Sequence, residues 1–260
     1  MRAQCEPAQP NDCGAPLAWP KRCLPWALAP EGSAFVEEPA VRAAFERAAA
    51  TWRGVDCGAE TSPMSWMHVG PIACDKPKVE GALSGGVYVR TIDDGWAHPG
   101  VYALTTLTFD VDTRAILGAV VDVDTSSRAI TTSDTIVEVD LEGLFLHELG
   151  HVLGLAHASE ATSTMFAEPP VGSLSWRSLA SDDVAGACAV SNTLGEGGCN
   201  PGVATSAWCG QQAGEPAEPS VAGGGCACAL GTAGDAGSSS APGGAIGIVF
   251  LVAARARRRA

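Results

Sequence analysis

Residues 147–157 read His-Glu-Leu-Gly-His-Val-Leu-Gly-Leu-Ala-His, and no other stretch constrains the chain as tightly. Side chains four apart stand on one face of a helix, so His147 and His151 can grip a single metal ion. Glu148 lies beside the first of them, near enough to act on water held by that metal. A third ligand cannot continue along the same straight helix and still reach the ion. Gly154 resolves this, because glycine tolerates the left-handed backbone that ends a helix and turns the chain back to deliver His157. Three imidazoles leave a fourth position open, the mark of a catalytic rather than a structural zinc. Three of the chain's five histidines fall in these residues, which argues against a chance set of surface histidines.

The surrounding pattern predicts an α+β fold. Asp140 can cap a helix over residues 141–153 that Gly154 ends. Pro39 opens an earlier helical stretch in which Val41, Phe45, Ala48 and Trp52 share one face, with Gly54 beyond to stop it. Runs at 86–90, 102–109 and 117–123 are rich in β-branched or aromatic residues and bounded by Gly or Asp, so they read as strands. Residues 17–28 read as a first strand, and Pro20 and Pro25 assign it to a sheet edge. Ser181, Asp182 and Asp183 cap a last helix carrying Val184 and Cys188 on one side. Strand, helix, several strands, helix, loop and helix make an α+β order with a mixed sheet.

The formal net charge of −13 is the wrong sign for a phosphate-binding surface, which excludes nucleic acid as a partner. No apolar run reaches about 20 residues, so the chain is not a polytopic membrane protein. Ten cysteines point to an oxidising compartment, hence a secreted or cell-surface protein, although the polar, Pro-rich start shows no leader peptide. Four parts follow: an irregular segment 1–16, a folded domain 17–191, a Gly- and Pro-rich linker 192–225 with Cys199 and Cys209, and a tail 226–260. The tail combines Cys226-Ala227-Cys228, a Gly/Ser spacer, an apolar run at 243–254 and four terminal arginines. That run is about 18 Å long as a helix against roughly 30 Å of hydrocarbon, too short for a comfortable anchor.

The zinc motif resembles that of the metzincin zinc peptidases, and of their matrixin-like branch. Ser163-Thr164-Met165-Phe166 is similar to the family's Met-turn, and Leu179-Ala180-Ser181-Asp182-Asp183 to the stretch opening its last helix. Segments 103–106 and 121–124 resemble strands of bacterial matrixin-like enzymes. Ala158 stands where astacins carry Glu and reprolysins Asp, and both tyrosines, Tyr88 and Tyr102, precede the motif, which disfavours those branches and serralysins. The resemblance implies a metzincin-like domain with a twisted mixed sheet, an active-site helix, a Met-turn and a C-terminal helix. It implies one catalytic Zn²⁺ on His147, His151 and His157, with Met165 as an apolar floor that does not touch the metal. Glu148 would then be the general base of a metalloendopeptidase that uses zinc-activated water. A peptide substrate would lie antiparallel to the strand at 102–109, adding to the sheet edge, and the enzyme is expected to be a monomer. The tail looks like the C-terminal sorting tails of myxobacterial surface proteins, which implies transient membrane association and removal near Cys226. The rival expectation is a non-catalytic metzincin scaffold used for adhesion or peptide binding.

Weaker signals remain. Animal matrixins hold a second, structural zinc with three further histidines, whereas only His68 and His98 remain here; both read as surface or core residues. Asp110, Asp112, Asp122 and Asp124 form two Asp-x-Asp pairs that calcium could use, against the simpler reading as acidic loop residues. Cys13-Gly14-Ala15-Pro16 is similar to the matrixin propeptide switch but lacks its flanking Arg and Asp, so a disulfide is favoured for Cys13.

Overall fold

The computed structural model describes residues 17–58, 64–70, 86–110 and 112–191, together with the backbone of 246–255. The expectations for 1–16 (Cys13 included), for 192–225 and for the cysteines of the tail lie outside the described residues. The elements run β1 (Cys23–Leu28), α1 (Glu38–Arg53), β2 (Ser65–His68), β3 (Val87–Ile92), β4 (Val101–Asp110) and β5 (Ile116–Asp124). Two short strands follow, β6 (Ile130–Thr131) and β7 (Val139–Asp140). Then come α2 (Leu141–Val152), a 3₁₀ turn (Ser175–Arg177), α3 (Ser181–Ser191) and β8 (Ile246–Arg255).

The main sheet has the order β2-β1-β3-β5-β4-β8. Strands β2, β1, β3 and β5 run parallel, and β4 turns back antiparallel to β5. The mixed α+β sheet expected from the sequence is therefore present. Strand β5 lies between β3 and β4 and is buried along almost its whole length, which is why it reads as a nearly continuous apolar run.

One placement differs from expectation. Strand β1 is interior, flanked by β2 and β3, not at an edge. The carbonyls of Arg22 and Trp26 accept from Ser65 and Val69 on the β2 side, so the alternate residue Pro25 faces β3. Pairing with β3 begins only at Trp26↔Val87. The donor that Pro25 lacks thus falls just short of the ladder, and the proline is tolerated in an interior strand. Strand β2 was not anticipated at all; its four residues are too short to carry a period.

Helix α1 buries Val41, Ala44, Phe45, Ala48, Ala49 and Trp52, the stripe read from the sequence. Phe45 stands between the sheet and the second helix, 4.0 Å from the Trp26 ring and 5.5 Å from the Phe145 ring. Helix α2 is buried all round, Glu142 alone excepted, as a helix sandwiched between α1 and the sheet must be. Asp140 caps it, accepting from the Gly143 amide at 2.8 Å. Two tryptophans fasten its carbonyls to other elements, Trp52 Nε1 donating to Leu146 O and Trp19 Nε1 to Val152 O. A disulfide, Cys57–Cys188, ties α3 to the segment after α1, and Cys23 is also disulfide-bonded.

The apolar run at 243–254 overlaps β8, which pairs antiparallel with the outer side of β4 from Val101↔Arg255 to Asp110↔Ile246. No helix among the described residues is long and apolar enough to cross a membrane.

Candidate metal centre

Helix α2 delivers His147 and His151 one turn apart, and its ending delivers the third imidazole. Leu153 is the last residue near helical geometry; Gly154 then takes φ 98°, the left-handed turn that the spacing required. Any larger residue there would also drive its Cβ to 2.7 Å from the Leu17 carbonyl oxygen. After this turn His157 comes back over the helix.

The three Nε2 atoms converge. His151 Nε2 lies 3.1 Å from His147 Nε2 and 3.2 Å from His157 Nε2. All three lie within 4.8 Å of one another, and because nitrogens bound at about 2.05 Å to a tetrahedral zinc stand about 3.3 Å apart, the two shorter spacings fit that ion. The opposite ring nitrogens settle which atoms face inward. His147 Nδ1 lies 2.6 Å from the Thr164 carbonyl and His151 Nδ1 2.8 Å from the Leu155 carbonyl. A carbonyl can only accept, so each Nδ1 carries the proton and each Nε2 turns a lone pair to the common centre. Burial, reinforced by its histidine neighbours, holds His147 well below the ordinary range. Burial pushes His151 down to about 3, with the His157 charge adding to the effect. Neutral imidazoles crowded lone pair to lone pair are a donor set for a cation. Among the described residues this is the only cluster of three or more His, Cys, Asp or Glu close enough to hold a metal.

Glu148 is fully buried. Its Oε2 accepts from Thr105 Oγ1 of β4 at 2.6 Å, while Oε1 has no hydrogen-bond partner in the protein. Burial raises its pKa to about 8; the Thr105 bond works the other way and the Asp122 charge adds to the rise.

Met165 packs against helix α2 at Gly150, the residue before His151. It is 1% exposed, and a Cβ added to Gly150 would sit 2.2 Å from its sulfur, so the thioether occupies the space that glycine leaves beside His151. The turn carrying it is held by one carboxylate. Asp183 of α3 accepts from the Ser163 hydroxyl and from the amides of Thr164, Met165 and Ala180. Met165 O in turn accepts from the Ala158 amide at 2.7 Å, fastening the turn to the segment just after His157. Because Thr164 O orients His147, Asp183 acts on a candidate ligand through one intervening peptide.

A family model for the matrixins matches residues 97–190, the span from β4 through α2 and the Met165 turn to α3. Over these residues the chain is similar to the matrixins, and its α+β fold and histidine cluster support a matrixin-like metzincin. A search of curated proteins finds no match to the chain.

Two groups in the matrixin-like centre were not read from sequence. Trp176, from the 3₁₀ turn, stacks on His147 with ring centroids 4.6 Å apart and planes 11° apart. It fits because α2 has Gly143 there: a Cβ would meet the Trp176 Cβ at 2.9 Å. Thr105 is the other, reaching Glu148 from a strand over forty positions earlier. Neither belongs to a local pattern. Arg177, next to Trp176, bridges Asp140 and Asp134 and so braces the N-terminus of α2.

The remaining singled-out residues lie elsewhere. His68 is exposed and packs against the Trp26 ring at 4.5 Å, and His98 is exposed beside Trp96 at 5.4 Å. The calcium expectation is not supported. Asp110 caps its own turn through the amides of Asp112 and Thr113, Asp122 makes a two-pronged pair with Arg90, and Asp124 caps the turn at Ser126 and Ser127. These carboxylates are committed to separate partners.

Proposed function

We propose that the chain is a zinc-dependent endopeptidase acting outside the cytosol, with residues 17–191 as the catalytic domain and Glu148 as its general base. The observation that carries this is the convergence of three Nε2 atoms, two from helix α2 and one from the segment after its closing turn, with a buried carboxylate on the same helix that keeps one oxygen unpartnered. His147, His151 and His157 would hold the zinc, whose chemistry when bound is to polarise a peptide carbonyl and activate water. Glu148 would supply the proton handling. Thr105 holds Oε2 in place, leaving Oε1 to take a proton and return it to the departing amine. Trp176 stacks on the His147 ring and limits its rotation, and Met165 packs against the helix at Gly150, the residue before His151. The outer side of β4, which β8 pairs in this structure, suits an extended peptide backbone. The Cys57–Cys188 disulfide fits an oxidising location.

Two variants test the assignment of roles. Glu148→Ala should keep about one zinc per chain yet lose cleavage of a broad peptide library by about 10²–10⁴-fold. His151→Ala should lose zinc as well, since two imidazoles hold the ion far less tightly. Zinc-loaded wild type that cuts nothing in the library, its own N-terminal segment included, would replace the peptidase with a non-catalytic scaffold.

A further inference from the structure

We propose that the chain's own C-terminal strand, β8, is the cis-acting occupant of the peptide groove, so that the intact chain is held closed and opens when the tail leaves. Strand β4 has β5 on one side and β8 on the other. Without β8, its outer side would present a row of unpaired amides and carbonyls, the template on which an extended peptide adds. The tail takes that row antiparallel, and the pairing spans β4 from end to end.

The register places the tail at the chemistry. Thr105, whose hydroxyl holds Glu148, pairs with Leu251, and its neighbours Leu104 and Thr106 pair with Val252 and Phe250. The middle of β8 therefore passes opposite the residue that touches the candidate base. The backbone of β8 also approaches α2, the helix that carries Glu148 and two of the histidines. An occupant at this level excludes any other strand from the same edge.

The sequence suits the role. Residues 246–252 read Ile-Gly-Ile-Val-Phe-Leu-Val, a β-branched and aromatic run that favours an extended backbone. Between Ser191 and Ile246 the chain has 54 residues, with an extended reach of about 180 Å, so the return to β4 imposes no stretch. A tethered strand needs only weak intrinsic affinity, because its effective concentration approaches the millimolar range. The seating stands on the register alone, whereas its effect on cleavage rests on the peptidase proposed above.

The test compares the zinc-loaded full chain with its Phe250→Pro/Leu251→Pro variant. Alternate residues of a strand face its neighbour, so one of two adjacent prolines removes a donor to β4 whichever way the strand is turned. Hydrogen exchange of the β4 amides between 101 and 110 reads the seating, and peptide-library cleavage reads its consequence. Outward-facing β4 amides should exchange at least about tenfold faster in the variant, and cleavage should rise about tenfold. A synthetic peptide of residues 246–255 added to the variant should restore protection and slow cleavage. Equal exchange in the two chains, or no protection by the peptide, would overturn the seating. Faster exchange with unchanged, measurable cleavage would overturn the closure. If neither chain cuts any peptide while exchange differs, the seating stands and the peptidase falls instead.

Discussion

Gly150→Ala pits the two physical roles of one residue against each other. Gly150 is in the last turn of α2, one position before His151, where alanine would ordinarily stabilise a helix by up to about 1 kcal/mol. Here the added Cβ would stand 2.2 Å from Met165 Sδ and 3.0 Å from both Met165 Cε and Trp52 Cζ2. Relaxed contacts of this kind lie at about 3.5–4.0 Å, so the sulfur must retreat by more than an ångström. It has little room, since Met165 is 1% exposed and its turn is fastened by Asp183. Overpacking of this kind costs about 1–3 kcal/mol, and the tight end of that range applies. Net of propensity, the zinc-loaded variant should lose about 1–2 kcal/mol, a fall of about 2–8 °C in midpoint. Zinc affinity should fall as well, because the strain falls on the backbone that carries the next residue, His151. Thermal unfolding and a zinc competition titration measure the two effects. A double-mutant cycle isolates the cause: Met165→Ala alone leaves a cavity, and adding Gly150→Ala to it should be nearly neutral or favourable. If Gly150→Ala by itself raises stability and leaves zinc affinity unchanged, the account of Met165 as a tightly wedged floor is wrong.

Asp183→Ala should cost about 3 kcal/mol, because the Ser163 hydroxyl, two buried amides and the half-buried Ala180 amide lose their acceptor together. Zinc retention should fall with it through Thr164 and His147, and a loss below about 1 kcal/mol in chemical denaturation would show the turn to be held by something else. In metal-free protein the depressed histidine pKa values set a pH dependence: as pH falls through about 6.5 the unfolded chain takes up protons that the folded imidazoles refuse, so stability should drop between about pH 7 and pH 5. Glu148, with its pKa raised to about 8, has the opposite sign, losing stability as pH rises, but it is one group against three. Denaturation midpoints of the chelator-treated chain check this, and a midpoint that rises on acidification to about pH 5 would contradict it.

Spacing along the chain was enough to reveal part of this protein, because part of its chemistry is local. The four-residue step between His147 and His151, the neighbouring Glu148 and the turn at Gly154 are properties of one helix and its ending, and the observed φ of 98° at Gly154 is what that spacing demanded. The α1 stripe and the Asp140 cap were legible for the same reason. Where partners are distant in sequence, nothing periodic announces them. Thr105 reaches Glu148 across β4, Trp176 lies on His147 only because Gly143 makes room, and Asp183 gathers four donors from two segments. The two prolines near β1 argued for an edge, yet the interior position turns on which side Pro25 faces and where β3 begins to pair. The apolar run near the C-terminus is the sharpest case. Its composition suits a lipid surface and a strand equally well, because both remove apolar side chains from water. Only the side of β4 that β5 leaves open, assembled from parts of the chain over a hundred residues away, selects the strand.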